Sequence, residues 1–141
     1  MRMPVEAIHQ RILRSAHEAG FDDVVEAHFA VLRYPGPQGR RPSDLAAEAG
    51  VSKQAMNYLL GQLEGLGYVV RSGDADDKRS RRVNLTARGE ALRTVIRTTV
   101  RAVEDELEAE LGTTDYAQLK RLLGRLNDTP LVRELHSGAR P

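Results

Sequence analysis

Residues 42–50, PSDLAAEAG, run directly into residues 51–67, VSKQAMNYLLGQLEGLG, and the reading of this pair decides the fold. Pro42 suits a helix's first turn, where its missing N–H costs nothing. Asp44 sits at the positive end of the helix dipole, and Gly50 supplies a stop. Ser52 is an N-cap candidate for a second helix. Its apolar stripe is Met56, Leu59, Leu60 and Leu63, and Gly65 and Gly67 end it. Two helices joined by AGVS, a turn of a few residues, have the spacing of a helix-turn-helix. With the stripe turned inward, the opposite face shows Ser52, Lys53, Gln54, Asn57 and Tyr58, with Gln62 at its edge. Gln and Asn can read adenine through two hydrogen bonds and Lys can reach guanine, so Gln54 and Asn57 are candidates for base edges and Lys53 for a base or a phosphate.

Downstream, YVVRS (residues 68–72) is rich in β-formers and RVNL (residues 82–85) alternates, so the two are expected to pair as a hairpin. Its tip holds three acids and four bases within Asp74–Arg82. Thr86 then starts a long helix to about Leu111, with Leu92, Val95, Ile96, Val100, Val103, Leu107 and Leu111 on its apolar side. That helix is on the order of 40 Å long, too long to pack within so small a domain. A last helix is expected over residues 114–126, capped by Thr113 or Thr114 and carrying Leu119, Leu122, Leu123 and Leu126; the tail SGARP is expected to lack order.

Upstream, Val5, Ile8, Ile12, Ala16 and Ala19 predict a helix over residues 5–19, stopped by Gly20. Asp22 or Asp23 is expected to cap a second helix to about Arg33, with Val24, Val25, Phe29 and Leu32 on its buried side. YPGPQGRRP (residues 34–42) reads as a loop. The fold class is therefore mainly α with a small β-hairpin wing. Residues 1–33 form N-terminal dimerisation and support helices, 34–90 a winged helix-turn-helix domain, and 91–141 the long helix and a C-terminal dimerisation helix. The first, long and last helices each keep an apolar face without a partner in the central domain. A symmetric homodimer covers them, the alternative being a bundle within one chain.

Composition narrows the function classes. There is no Cys and no Trp, and only two Phe, which removes disulfides, thiolate metal sites and Cys nucleophiles. His9, His17, His28 and His136 include no i,i+4 pair, so no metal site is expected. No Ser/His/Asp motif and no Gly-rich phosphate loop appears, and the reading is a non-enzyme without cofactor. No apolar run is long enough for a membrane span, and the N-terminus has no signal-peptide core, so a cytoplasmic protein is expected. The net charge is +1, but residues 33–93 carry eleven Lys/Arg against seven Asp/Glu while the flanks carry ten against thirteen. A basic middle between acidic flanks suits a polyanion. Arg93, Arg97 and Arg101, spaced by four, read as solvated helix pairs (Arg97 with Glu104, Arg101 with Asp105), with a phosphate contact as the alternative for Arg93.

Residues 43–71 and 74–92 together resemble the MarR family of winged helix-turn-helix transcriptional regulators. The family's wing signature is an Asp, usually a Pro, then Asp-x-Arg, a basic run, a strand and Leu-Thr-x-x-Gly. Here these are Asp74, Ala75, Asp77-Lys78-Arg79, Ser80-Arg81-Arg82, Val83-Asn84-Leu85 and Leu85-Thr86-Ala87-Arg88-Gly89. Ala75, where Pro is common, is the one departure.

The resemblance implies a homodimeric, sequence-specific DNA-binding regulator, a repressor, on a palindromic double-stranded operator with half-sites about one helical turn apart. Arg79 matches the wing Arg that enters a minor groove, and Asp77 is expected to orient its guanidinium. Arg81 and Arg82 are expected on phosphates. Arg41 and Ser43 are phosphate candidates at a helix start, and Ser52 is a cap with a phosphate contact. Tyr58 either bonds a phosphate or packs on the wing. The resemblance also implies a small aromatic or phenolic acid effector between the dimerising helices and the DNA-binding domain, with His9, Leu13, His17, Phe29 and Arg33 as candidate liners. Such a ligand would shift the spacing of the two recognition helices. Two other readings compete: a winged-helix protein-interaction module, and a non-specific architectural DNA-binding protein with steep salt dependence.

Overall fold

The computed structural model describes residues 2–33, 36–74 and 76–137. Ala75, Tyr34, Pro35 and residues 138–141 of the tail lie outside them, as does the side chain of His136. Helix α1 (Arg2–Glu18) ends just before Gly20, whose φ of 97° only glycine adopts freely. The single helix expected from Asp22 or Asp23 to Arg33 does not form. The chain instead makes a 3-10 turn, Glu26–His28, and one turn of helix, α2 (Phe29–Leu32). Tertiary partners decide this. Asp23 is no cap, because its carboxylate accepts from the Tyr68 hydroxyl and from Arg88 Nη2 (2.9 Å). His17 Nε2 donates to the Val24 carbonyl (2.8 Å), and the Val25 N–H donates to His28 Nδ1 (3.2 Å). Backbone groups that a helix would pair internally are thus taken by imidazoles. Val24 is fully buried, while Val25 is 51% exposed and not on the buried side.

The central elements follow their local signals. Helix α3 (Pro42–Ala49) carries Pro in its first turn and closes at Gly50 with φ 69°. Helix α4 (Lys53–Gly65) is capped by Ser52 Oγ, which accepts from the Ala55 N–H at 3.0 Å. Strands β1 (Val69–Ser72) and β2 (Arg82–Leu85) pair antiparallel, Val69 opposite Leu85 and Ser72 opposite Arg82. The loop before α3 adds a single bridge to β2: the Val83 N–H donates to the Arg40 carbonyl and the Gly39 N–H to the Val83 carbonyl, both at 2.8 Å. Thr86 Oγ1 caps helix α5 (Ala87–Leu111) by accepting from the Gly89 N–H. Helix α6 (Thr113–Asn127) starts from Gly112, with no side-chain cap from Thr113 or Thr114. A further helix, α7 (Pro130–Ser137), stands where no helix was expected.

One core joins the helix-turn-helix to the start of α5: Leu45, Met56, Leu60 and Leu63 from α3 and α4, Tyr68, Val69, Val83 and Leu85 from the hairpin, and Leu92 and Ile96 from α5. Ile12 and Ala16 of α1 and Val24, Val31 and Leu32 complete it. The glycine of Leu-Thr-x-x-Gly has a steric reason. A Cβ on Gly89 would meet the Tyr68 carbonyl oxygen closer than any real Cβ contact, so only glycine lets α5 approach the backbone just before β1 this tightly. Helix α1 lies along α5 and is tied to it by Arg11, whose guanidinium forks onto Glu106. Helix α6 folds back on α5 over the buried Val103 and Tyr116. Beyond that contact Leu107, Leu111, Leu119, Leu122, Leu123 and Leu126 stay 36–47% exposed, an apolar surface that the described residues leave uncovered. Among the described residues no helix is long and apolar enough to cross a membrane.

Candidate nucleic-acid interface

The first turn of α3, the outer face of α4 and the hairpin enclose a cleft of about 450 Å³. Six cations line it (Arg41, Lys53, Arg71, Lys78, Arg79 and Arg81) with Pro42, Ser43 and Asn57, and among the described residues no carboxylate does. The cleft thus brings together Arg41, Ser43, Lys53, Asn57, Arg79 and Arg81 from the predicted set. It adds Arg71 and Lys78, which sequence reasoning missed. The alternation of β1 was the available signal for Arg71: it shares a face with the buried Val69 and turns toward α4. Lys78 was visible only as part of the tip's charge.

Internal pairs set the two back cations in place. Arg41 forks onto Asp44 (Nε 3.0 Å, Nη2 3.2 Å), and this contact holds the Asp44 carboxyl below the usual carboxylate range. Arg71 Nη2 donates to Glu64 (3.2 Å) and lowers that carboxyl likewise. By contrast, among the described residues the side chains of Lys53, Gln54, Asn57, Lys78, Arg79 and Arg81 make no hydrogen bond or ion pair within the chain. Their donors face solvent and are free for an external acceptor.

The acids of the wing tip act on backbone, not on bases. Asp77 Oδ1 accepts from the Arg79 N–H at 3.0 Å, and Asp74 Oδ1 from the Asp76 N–H at 2.9 Å. Ser80 Oγ closes the loop, accepting from the Asp74 N–H and donating to the Asp77 carbonyl. These are side-chain turns that fold a short, charged tip without a core. Asp77 therefore fastens the backbone under Arg79 and has no bond to its guanidinium, which corrects the expected role. Arg82 also departs from expectation. Its Nη1 donates to the carbonyls of Arg79 (2.8 Å) and Arg81 (2.9 Å), so it braces the wing from inside while Arg81 points into the cleft.

On α4 Gln54 is exposed, and Ser52, the cap before it, uses its oxygen on the Ala55 N–H and keeps its O–H to donate. Tyr58 is 68% exposed and does not pack on the wing. A hydrogen-bond chain reaches it from the interior. Because His28 Nδ1 accepts from Val25, its Nε2 carries the proton and donates to Gln62 Oε1 (3.1 Å). Gln62 Nε2 in turn donates to the Tyr58 hydroxyl (3.1 Å). Among the described residues the hydroxyl's own hydrogen has no acceptor, which leaves it to an external one.

A second cavity, about 390 Å³, lies between α1, α2 and α5. His9, Phe29 and Arg33 of the predicted effector set line it. Leu13 and His17 do not: Leu13 packs on the core, and His17 is committed to the Val24 carbonyl. Ile12, Leu32, Ile96 and Val100 supply apolar wall. Arg93, Arg97, Arg101 and Glu104 line it as well, and neither Arg97–Glu104 nor Arg101–Asp105 forms an ion pair. Arg93 approaches Glu90 instead, at 3.6 Å. Among the described residues no group of three His, Cys, Asp or Glu could hold a metal ion.

Comparison with known proteins places this architecture. A family model described as the MarR family matches residues 25–80. The HTH-type transcriptional repressor Rv2887 of Mycobacterium tuberculosis is 38% identical over 88 residues, 62% of this chain and 63% of that protein. The match thus spans less than two thirds of that relative's length. The crystal structure of the M. tuberculosis MarR family protein Rv2887 in complex with salicylic acid aligns with 86% of this chain and 88% of its own at 30% identity and a TM-score of 0.59. The structure of the transcriptional repressor CouR bound to a 23-mer DNA duplex aligns with 89% of this chain and 87% of its own at 25% identity and a TM-score of 0.70. With a solved MarR family structure 30% identical and covered over 88% of its length, and the family model matching residues 25–80, the chain belongs to the MarR family.

Proposed function

We propose that the protein is a homodimeric, sequence-specific DNA-binding transcriptional repressor, a regulator and not a catalyst, working in the cytoplasm. The observation that carries this reading is the cleft between α4 and the wing, with six cations and no carboxylate among the described residues that line it. DNA supplies a dense row of phosphates to meet such a surface. Lys53, Gln54 and Asn57 read base edges in the major groove, and Arg79 enters the adjacent minor groove. Arg41, Ser43, Ser52, Tyr58, Arg71, Lys78 and Arg81 bind phosphate and fix register. Asp77 and Arg82 hold the wing in shape. Residues 34–90 are the DNA-binding unit, residues 91–141 dimerise through the exposed leucines of α5 and α6, and residues 1–33 dimerise with and support them. The DNA-bound CouR and the repressor Rv2887 support this assignment.

The cavity between α1, α2 and α5 is the effector site, a reading supported by the salicylic acid complex of Rv2887. His9, Phe29 and Arg33 face the ligand there; Leu13 and His17 support the wall from behind. Ligand binding changes the spacing of the two recognition helices and weakens DNA binding. In-vitro selection from a randomised duplex library tests the main reading. It should return an inverted repeat whose half-sites lie about one turn, ~10 bp, apart. Recovery of no common sequence would favour an architectural role.

A further inference from the structure

We infer that the cavity between α1, α2 and α5 takes a dianion, an apolar or aromatic body with two separated acidic groups, in preference to a simple monocarboxylate. This rests on reading that cavity as the effector site. Arg93, Arg97 and Arg101 stand at i, i+4 and i+8 of α5, so they form one row, with steps of about 6 Å along the helix axis. All three line the cavity, and so does Arg33 after α2, although its Nη2 donates to the Glu48 carbonyl. Glu104, at one end of the row, is the single carboxylate among the described lining residues.

Like charges four apart on a helix repel, and among the described residues only a long Arg93–Glu90 ion pair and Glu104 at the end of the row offset that repulsion. Among the described residues Arg97 and Arg101 have no hydrogen bond or ion pair, and Arg93 meets Glu90 only at 3.6 Å, beyond hydrogen-bond length. A monoanion would neutralise one guanidinium and leave the rest of the row uncompensated. A ligand with a second acidic group one or two helical turns away engages two. Phe29, Leu32, Ile96 and Val100 give the intervening body an apolar wall, and a cavity of about 390 Å³ accommodates a single-ring ligand with two substituents.

Isothermal titration of the full-length protein tests this, with trans-cinnamate as monoanion, 4-carboxycinnamate as dicarboxylate, and 4-phosphonooxycinnamate as carboxylate plus phosphate. At least one of the two doubly acidic probes should bind about tenfold or more tighter than cinnamate, and the tighter of the two identifies the second acidic group. In the double variant Arg97→Gln, Arg101→Gln that advantage should shrink to about threefold or less while cinnamate still binds, which a merely unfolded protein would not show. Equal affinity for all three probes overturns the dianion inference and leaves the effector reading standing. Absence of binding by all three overturns both. A loss of about tenfold or more in ligand-free DNA affinity in the double variant would put the row on DNA phosphates, and the inference would fall.

Discussion

Replacing Gly89 by alanine should destabilise the protein, although alanine is the better helix former. Gly89 lies in the first turn of α5, where the helix passes the Tyr68 backbone just before β1. A Cβ there would overlap the Tyr68 carbonyl oxygen, and would sit 3.1 Å from its carbon and 3.0 Å from Leu85 Cδ2. The carbonyl is backbone and cannot swing away. It also accepts from the Thr86 N–H at 3.0 Å, so pushing the helix off the strand loosens the contact that starts α5. Thr86 Oγ1 caps Gly89 and reaches the Gly67 carbonyl, and both bonds are strained by the same movement. Overpacking of this kind costs about 1–3 kcal/mol, and weakened hydrogen bonds add about 1 kcal/mol. The helix preference of alanine over glycine returns about 1 kcal/mol. The expected net loss is about 1–3 kcal/mol, a Tm lower by roughly 3–10 °C for a chain of this size. Gly61→Ala is the matched control. It sits inside α4 with nothing within 4 Å of its added Cβ, so it keeps the propensity gain without the overlap and should stabilise by about 0.5–1 kcal/mol. Urea unfolding followed by circular dichroism, at one protomer concentration for all variants, measures both. Gly89→Ala at or above wild-type stability would refute the close-approach account of the wing motif's glycine.

Other outcomes follow from the same geometry. Arg79→Ala should cost about 1–3 kcal/mol on the selected site, and a fluorescence-anisotropy titration that finds less would remove Arg79 from the groove. Arg81→Ala should reduce the salt slope of binding by about one, whereas Arg82→Ala should lower affinity with little change in slope, because its Nη1 is bonded to wing carbonyls. Asn57→Ala and Gln54→Ala should relax base preference at single positions by about 1–3 kcal/mol each, read by titrating singly mutated duplexes. Stability should also respond to alkali. Burial, together with the bonded Asp23 carboxylate, pushes the Tyr68 hydroxyl up to about 12, so the folded state keeps a proton that the unfolded chain releases near 10. That contribution is complete below pH 10 and is lost as pH rises toward 12. Urea midpoints measured on either side of pH 10 should fall, and Tyr68→Phe should flatten that fall. In acid the sign reverses. Burial works against Asp23, but Tyr68 and Arg88 outweigh it and hold its carboxyl low, and Arg41 holds Asp44 low. Their contribution is present at neutral pH and lost as pH drops below the ordinary carboxylate value of 3.8.

The elements legible in the sequence are those whose causes are local. Ser52 and Thr86 cap the helices they were expected to cap, Gly50 closes α3, and strands 69–72 and 82–85 pair as the β-formers of 68–72 and the alternation of 82–85 suggested. The segment 22–33 was misread because its competition is tertiary: Asp23, His17 and His28 bond to groups outside a regular helix, and no periodicity records that. Helix α7 was missed, although Pro130 occupies its first turn, where proline is suited. At the wing, composition announced a charged tip but not its division of labour. Whether an acid meets a guanidinium or a backbone N–H depends on a turn geometry that spacing does not carry, and so Asp77 and Arg82 acquired different roles. The row Arg93, Arg97 and Arg101 was seen as a pattern. That it faces a cavity required knowing that α1 and α2 lie across it.

The central claim is that the cationic cleft reads sequence and does not merely collect phosphate. Its most direct test is an anisotropy titration of the selected inverted repeat and of a scrambled duplex of equal length, over one salt series. The account predicts saturation at two protomers per duplex and a preference for the repeat of about 10³ or more, with the preference persisting as salt rises. Equal affinity for both duplexes, falling together with salt, would contradict it and leave an architectural DNA-binding protein. No binding to either duplex at low salt would leave a protein-interaction module.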